Sequence, residues 1–392
     1  MKINLDNAAT TPIDKEVLEE MLPYLKEKYG NASSVHEWGR QAREAIDSSR
    51  KTIAKSINVK EDEIIFTSGG TESNNFAIKS IAFTNKDKGK HIITTKIEHD
   101  CVLNSCKWLE SQGFEVTYLD VDEEGFINLE DLKNKIRNNT ILVSIIHGNN
   151  EIGTIQDLEA IGNICKEKNV YFHTDACQSF TKVKIDVKKI NIDLITLNAH
   201  KIYGPKGVGA LYIKKGTNIK AWQHGGGHEF DLRSGTENVP AIVGLAKAVQ
   251  IAKGQDIEKM TKLRDKLIEG IEKIPNVILN GPKGDKRLGN NVNFSFLGIE
   301  GESIGTLLMG KGIASSTGSA CSSHKLEPSH VIMALRGKAS EAHGSIRFTL
   351  SKFNTEEEID YVLEVLPDII KKLRRISPFE KVVDVLLGGK KK

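Results

Sequence analysis

Short apolar segments alternate with longer amphipathic ones over much of the chain. Between two apolar segments, residues 157–169 place Leu158, Ile161 and Cys165 on one face of a predicted helix. Strands that alternate with helices favour an α/β fold, in which helices cover both faces of a mostly parallel sheet. The apolar segments are rich in β-branched residues and predict strands at 62–68, 91–95, 114–120, 140–147, 170–176 and 193–200.

The pattern changes after a predicted helix at 237–254. We therefore predict a large α/β domain over 1–255 and a smaller α+β domain over 256–392, although residues 1–15 can instead pack with the small domain. The predicted elements of the small domain are a long charged helix at 256–274, strands at 290–296 and 344–351, and a helix at 355–373.

Composition narrows the class of protein. The 392 residues carry 55 basic and 52 acidic side chains, and this near balance argues against nucleic acid as a partner. We expect no membrane association, because no apolar run reaches spanning length and the first residues lack the apolar core of a signal peptide. The five cysteines show no metal-binding spacing, so we expect free thiols, a cytoplasmic protein and no intrinsic metal site.

Residues that follow the predicted strands are the candidates for chemistry, since a parallel sheet binds ligands at the carboxyl ends of its strands. Gly70 and Thr71 open a predicted helix and form a candidate anion site, although a plain tight turn would look the same. Asp175 follows a central strand and needs a cationic partner if it is buried. Lys201 follows another strand; most lysines lie on the surface, but a desolvated one can form a Schiff base.

An anion cradle, a buried carboxylate and a lysine in this order together predict a pyridoxal phosphate site. His99 can stack on a flat cofactor and move protons, or can simply shape its loop. Asn150 can donate to the cofactor or substrate, or can belong to a turn built by two asparagines.

The segment 315–324, "SSTGSACSSH", places Cys321 among small polar residues rather than in an apolar core. Such a segment makes few packing contacts and suits a thiol that must move. The alternative is an incidental cysteine on a surface loop.

At this point the sequence resembles the cysteine desulfurases of the NifS/IscS-like class, among the class-V aminotransferases of pyridoxal phosphate fold-type I. The resemblance covers nearly the whole chain, and its long cysteine segment is similar to the IscS/NifS branch. It implies a mostly parallel seven-stranded sheet in the large domain. It is carried by "LDNAATTP" (5–12), "YGNASSVHEWGR" (29–40), "GGTESNN" (69–75), "NNEIG" (149–153), "DACQ" (175–178), "AHKIYGPKG" (199–207), "GGGHEFDLRSGTENV" (225–239), "STGSACSS" (316–323) and "IRFTLSKFNTEEEID" (346–360).

The resemblance implies roles for individual residues. Lys201 is similar to the lysine that binds the cofactor as a Schiff base, Asp175 to the partner of the pyridine nitrogen, and Gln178 to the partner of the ring hydroxyl. His99 resembles the histidine that stacks on the ring and handles protons, and Asn150 resembles an asparagine that contacts cofactor and substrate.

The same resemblance implies the remaining site. Arg347 matches the arginine that binds the substrate carboxylate, and Cys321 matches the nucleophile. The phosphate positions are Gly70, Thr71, Asn198, His200 and, reaching from the other subunit of a homodimer, Thr236.

The implied reaction removes sulfur from L-cysteine and gives L-alanine and a persulfide on Cys321. An acceptor protein then takes the sulfur for iron–sulfur cluster assembly or tRNA thiolation, and Cys321 can transiently ligate a nascent cluster with a scaffold protein. The alternatives are a selenocysteine lyase or an aminotransferase of the same fold, or a non-enzymatic scaffold.

Three positions depart from the family pattern. Asn198 stands where a serine is usual, and Gly70 stands where an alanine is commoner. Cys177 replaces a small residue such as alanine, and we expect it to be structural, on the packed side of its turn.

Overall fold

A computed structural model describes residues 1–317 and 328–377. The strands of these residues are β1 (Ile3–Asn4), β2 (Ile64–Thr67), β3 (His91–Thr95), β4 (Glu115–Leu119), β5 (Thr140–Ser144), β6 (Tyr171–Asp175), β7 (Leu194–Asn198), β8 (Gly209–Ile213), β9 (Val277–Leu279), β10 (Asn291–Phe296), β11 (Ile313–Ala314) and β12 (Ser345–Thr349). The helices are α1 (Lys15–Lys26), α2 (Glu37–Ile57), α3 (Gly70–Thr84), α4 (Asp100–Ser111), α5 (Leu129–Lys135), α6 (Leu158–Glu167), α7 (Val239–Ile251), α8 (Gly254–Ile271), α9 (Gly301–Gly310), α10 (His330–Arg336), α11 (Ala339–Ala342) and α12 (Glu356–Ile376).

Seven strands form the central sheet, in the order β2-β8-β7-β6-β5-β3-β4. The pairs from β7 to β4 are parallel, whereas β8 is antiparallel to both β7 and β2. The predicted α/β class with a mostly parallel seven-stranded sheet is therefore confirmed, and all six strands predicted from the apolar pattern form.

The pattern missed β8, because this strand follows a glycine-rich turn and itself begins with Gly209 and Ala210. Gly207 has a φ of 80°, a conformation that glycine adopts without strain, so the turn reverses the chain there. This reversal explains why β8 runs against its two neighbours.

Successive residues of the central strands enter two different cores, as the period of a strand requires. Ile93, Val143 and Ile195 pack on one face with helices α1, α2, α6 and α7. Their preceding neighbours, which include Ile92 and Leu142, pack on the other face with α3 and α4. Burial on both faces is what makes these strands apolar throughout.

A further core forms around a three-stranded antiparallel sheet with the order β12-β10-β9. It includes side chains of α8, α9 and α12, and also Ile3 and Leu5 from the start of the chain. β1 pairs in parallel with β11, with Ile3 opposite Ile313. The boundary near residue 255 stays a prediction; this residue lies in the first turn of α8, which begins at Gly254, whereas α7 ends at Ile251. Within the described residues, no helix is both long and apolar enough to cross a membrane.

Candidate active site

Asp175 ends β6 at the carboxyl edge of the central sheet, and both of its carboxylate oxygens are held. Asn74 Nδ2 donates to Asp175 Oδ2 at 2.7 Å, and the backbone N–H of Cys177 donates to Asp175 Oδ1 at 2.8 Å. The side chain is buried. Hydrogen bonds to both oxygens fix the direction of this buried carboxylate.

Lys201 lies three residues beyond the end of β7, the strand that pairs with β6. Its ammonium group donates to the carbonyl oxygen of Ala8, and Gln178 Nε2 donates to the same oxygen at 3.0 Å. The structure thus brings Asp175, Gln178 and Lys201 to one edge of the sheet, where the sequence placed them.

The N-terminal segment 6–11 runs through this site. Besides the Ala8 carbonyl, Thr10 Oγ1 lies 3.3 Å from His200 Nδ1, and the backbone N–H of Thr11 donates to the carbonyl oxygen of His200 at 2.9 Å. The residues of this segment belong to the motif "LDNAATTP" (5–12), which by itself indicated no role for them. These contacts join positions about 190 residues apart, so local patterns could not reveal them.

The turn before α3 forms a cradle of backbone. Gly69 has a φ of 149°, and a Cβ on Gly70 would lie 2.6 Å from Cys177 Sγ. Cys177 therefore packs against this turn, which leaves no room for a side chain at Gly70. Thr71 follows in the first turn of α3, a helix of 15 residues whose N-terminal N–H groups attract an anion.

Asn198 ends β7 close to the same turn, with Nδ2 3.8 Å from the position of a Cβ on Gly70. Its side chain is buried, and among the described residues its Oδ1 has no hydrogen-bond partner. Since a buried amide normally satisfies its polar atoms, Asn198 retains hydrogen-bonding capacity at this position.

His99 caps the N-terminus of α4. Its Nδ1 accepts from the backbone N–H of Cys101 at 3.1 Å, so the proton of the neutral ring is assigned to Nε2. Burial lowers the pKa of His99 and keeps the ring neutral near pH 7. Asn74 Nδ2 also lies 3.1 Å from Cys101 Sγ, which ties this corner of the site to Asp175. Asn74 was missed, although it lies one helical turn beyond Gly70 in a quoted motif.

Arg347 lies on β12 and joins three parts of the chain. Its Nη1 donates to the carbonyl oxygen of Asn150 at 3.1 Å, and its Nη2 forms an ion pair with Asp6 Oδ1 at 2.9 Å. The backbone of Arg347 pairs with Ser316 through two hydrogen bonds of 2.7 and 3.1 Å. Its Nε is buried and has no partner among the described residues.

Two buried carboxyl groups stand beside site residues. Glu98 Oε1 accepts from Thr95 Oγ1 at 2.7 Å and from the backbone N–H of Ile146 at 2.9 Å, and burial raises the pKa of Glu98 to about 8. Glu151 accepts from Ser329 Oγ at 2.5 Å, and burial raises its pKa as well. Neither carboxyl group was predicted from the sequence, although Glu98 precedes His99 and Glu151 follows Asn150.

Two predicted positions lie apart from these contacts. Thr236 lines a cavity of about 230 Å³ together with Ser68, Gly207 and Arg233, next to the turn before α3. Cys321 lies outside the described residues, which resume at position 328 before α10.

Comparison with known proteins places the chain among pyridoxal phosphate enzymes. The sequence model of the family described as aminotransferase class-V matches residues 3–362. A relative from Dictyoglomus turgidum named cysteine desulfurase IscS is 54% identical over 97% of this chain and 97% of its own. A relative of the same name from Methanosarcina thermophila is 55% identical over 96% of this chain and 94% of its own.

Solved structures are also similar to this chain over most of its length. One described as a NifS-like protein is 41% identical, has a TM-score of 0.89, and covers 95% of this chain and 100% of its own. Another, described as SspA in complex with cysteine, is 39% identical with a TM-score of 0.81 over 91% of this chain and 100% of its own.

Proposed function

The chain belongs to the class-V aminotransferase family, and from this membership and the site we infer that it is a pyridoxal phosphate-dependent cysteine desulfurase. It removes sulfur from L-cysteine and leaves L-alanine. One observation supports this function above all. Asp175, with both carboxylate oxygens held, ends one strand, and Lys201 lies just beyond the end of the neighbouring strand.

The residues present fit the cofactor. Asp175 offers a buried negative charge for a protonated pyridine nitrogen, and Lys201 offers an amine for covalent attachment. The turn at Gly70 is closed to a side chain but leads into a long helix, as a phosphate site requires. Thr71, Asn198 and His200 surround it in the proposed assignment, with Gln178 on the ring hydroxyl.

The bound cofactor supplies an electron sink, which makes the sulfur–carbon bond of an attached cysteine labile. Lys201 would position the amino group of the substrate. His99 would stack on the ring and present its Nε2 proton, since its Nδ1 accepts from a backbone N–H. Burial excludes water from Asp175 and strengthens its interaction with a cation.

Substrate binding falls to Arg347 and Asn150. The guanidinium group can bind a carboxylate with two parallel hydrogen bonds. Its present partners are the Asp6 carboxylate and a carbonyl oxygen, so the site already accommodates an acid at this point.

Cys321 is proposed as the thiol that receives the sulfur. Its thiolate attacks the substrate sulfur and forms an S–S bond; the carbon–sulfur bond breaks, its electron pair stays on carbon, and the substrate thiol proton completes alanine. The described thiols support this choice, because burial raises the pKa of Cys101 to about 12 and also raises the pKa values of Cys106, Cys165 and Cys177. Protonated thiols are poor nucleophiles.

A homodimer is the proposed assembly. Leu18, Leu22 and Leu25 form an exposed apolar row on α1, and exposed Trp38 follows in α2. Apolar rows of this kind mark interaction surfaces. In the dimer the partner's Thr236 would reach the phosphate, and light scattering should give about twice the chain mass of 43.3 kDa. A monomeric active sample would contradict this assembly.

Sulfur delivery completes the proposal. A scaffold protein for iron–sulfur clusters or an acceptor for tRNA thiolation would take the persulfide sulfur directly, and Cys321 would ligate a nascent cluster in passing. A cytoplasmic location accompanies this role, with no membrane or nucleic acid as a direct partner.

The test is to supply the protein with pyridoxal phosphate, L-cysteine and a reductant, and to measure alanine and sulfide together. We expect equal amounts of both from the wild type, no product from Lys201→Ala, and no alanine from Cys321→Ala. Activity of Cys321→Ala with a keto-acid acceptor would favour an aminotransferase. Turnover of selenocysteine alone would favour a lyase.

A further inference from the structure

Lys182 lies behind the candidate active site, in the segment that follows β6. Its Nζ donates to the carbonyl oxygen of Gln178 at 2.8 Å and to the carbonyl oxygen of Lys201 at 3.2 Å. These two carbonyls belong to the loops after β6 and β7. One ammonium group therefore joins the backbone of the residue assigned to the ring hydroxyl with that of the residue assigned to covalent attachment.

This ammonium group forms no ion pair within residues 1–317 and 328–377. Burial, and then the charge of Lys201, lower the pKa of Lys182 to about 7. The nearby Cys177 thiol is neutral, since burial raises its pKa. Lys182 is partly buried in the wall of two clefts, and a charge held there without a counter-ion is less stable than the same charge in water. A lysine at this position therefore indicates a functional role for its ammonium group.

Other charged groups border Lys182 from the elements around it. His200 is neutral near pH 7, because burial and then Lys201 lower its pKa to about 4. The narrow cleft between α7, α8 and the turn after β7 also holds Lys253, Asp256, Tyr203 and Lys352. The wider cleft beside it holds Lys184, Glu258, Lys262 and Asp285. Of all these groups, Lys201 dominates the electrostatics of Lys182, after burial itself.

We propose that Lys182 is a positioning residue, whose ammonium group fixes the carbonyl oxygens of Gln178 and Lys201 and whose positive charge favours the uncharged form of the Lys201 side-chain nitrogen. The proposal rests on the assignment of Lys201 as the cofactor lysine.

The chemical reason lies in the reciprocity of the charge–charge interaction. If the charge of Lys201 disfavours a charge on Lys182, then a charge on Lys182 disfavours one on Lys201 by the same free energy. A lysine must be uncharged to attack a carbon or accept a proton, and a neighbouring cation is a known means of keeping it so. Lys182 serves that purpose from behind, without contact with the substrate.

The experiment follows the visible absorbance of the holoenzyme, prepared with pyridoxal phosphate, as a function of pH. In Lys182→Met we expect the midpoint of the absorbance change to rise by about one pH unit, because a cation near the titrating nitrogen is removed. Lys182→Arg keeps a positive charge at every pH of the titration, so its midpoint should not rise above that of the wild type. Lys184→Met removes an exposed lysine two residues away and should also leave the midpoint unchanged.

An unchanged midpoint in Lys182→Met would overturn the proposal, as would an equal rise in Lys184→Met. Lys182→Gln takes the place of the methionine variant if the latter does not fold, and the same outcomes apply to it. A merely structural role would lower the melting temperature of Lys182→Met without moving the midpoint. A wild type that shows no visible band with the cofactor would instead refute the proposed function, so the two failures are distinct.

Discussion

Asp175 and Arg347 are both buried and both charged, but the structure holds them by different kinds of partner. Asp175, at the cofactor end of the site, is held by the amide of Asn74 and by a backbone N–H, which are permanent neutral donors. Arg347, at the proposed substrate end, is held by Asp6, a carboxylate of the same chemical type as that of an amino acid substrate.

This difference separates a preorganised end from an exchangeable one. Neutral donors on the rigid sheet and on α3 keep the Asp175 carboxylate oriented whether or not a ligand is present. An ion pair with Asp6 neutralises the buried guanidinium group, and a substrate carboxylate can take its place without leaving Arg347 unpaired. In the proposed assignment, the partners of the cofactor end are therefore permanent, whereas the partner of the substrate end can be exchanged during turnover.

The strongest test of the cofactor end removes its amine. Lys201→Ala should lose all turnover, because it removes the amine that we propose to attach the cofactor and to pass on the substrate amino group. The measurement is alanine production together with the visible spectrum of the protein, which should lack the wild-type band. Alanine production at the wild-type rate would show that the preorganised end has been misassigned.

The sequence predicted the main residues of the cofactor end, but it did not predict the contacts that support the site. Asp175, Gln178 and Lys201 follow apolar strands, and parallel topology brings the ends of such strands together, so their proximity could be predicted. The carbonyl of Ala8 and the ion pair of Arg347 with Asp6 join residues about 190 to 340 positions apart. Local pattern carries no information on contacts of that separation.

Substitution of Asn74 tests the hydrogen bonds that hold the Asp175 carboxylate in place. Asn74→Ala leaves Asp175 Oδ2 without its donor, and a lost hydrogen bond to a buried charge is worth about 1–3 kcal/mol, so activity should fall by about tenfold to a hundredfold. The matched control is Asn75→Ala, since Asn75 lies next along α3 and its side chain donates to the carbonyl oxygen of exposed Thr71 rather than to Asp175. Equal losses in both variants would argue for a general effect on α3.

Substitution of Asp6 tests whether a substrate carboxylate replaces the Asp6 carboxylate on Arg347. Asp6→Asn keeps the shape of the side chain but removes the charge that competes with a substrate carboxylate for Arg347. We expect KM for L-cysteine to fall by about fivefold with little change in kcat, because a partly exposed ion pair contributes about 1 kcal/mol or less. Arg347→Lys, which loses the bidentate geometry, should raise KM in the same assay. A higher KM in Asp6→Asn would mean that Asp6 orients Arg347 rather than competing for it.

Glu98 is a buried group beside the proposed cofactor site whose Oε2, like Oδ1 of Asn198, has no partner among the described residues. Burial raises its pKa from 4.5 to about 8, so between these values the folded state binds a proton that the unfolded state has released. The free energy of unfolding should therefore fall as pH rises through this window, by at most about 1.4 kcal/mol per pH unit. Glu98→Gln keeps the acceptors for Thr95 and Ile146 but cannot titrate.

The measurement is denaturant unfolding of Glu98→Gln and of the wild type from pH 5 to pH 8. The stability of the variant relative to the wild type should increase across this range, whereas kcat at neutral pH changes least of all the substitutions considered. Glu124→Gln, at an exposed glutamate, should show no such trend.

The buried histidines His147 and His173 have lowered pKa values and change the unfolding free energy with pH in the opposite direction. They are present in the wild type and in both variants, so their effect cancels in the difference. If the unfolding free energies of the wild type and Glu98→Gln instead change in parallel with pH, Glu98 is charged in the folded state. Its Oε2 must then be hydrogen-bonded by water. This part of the cofactor end would then have an exchangeable partner, as the substrate end does.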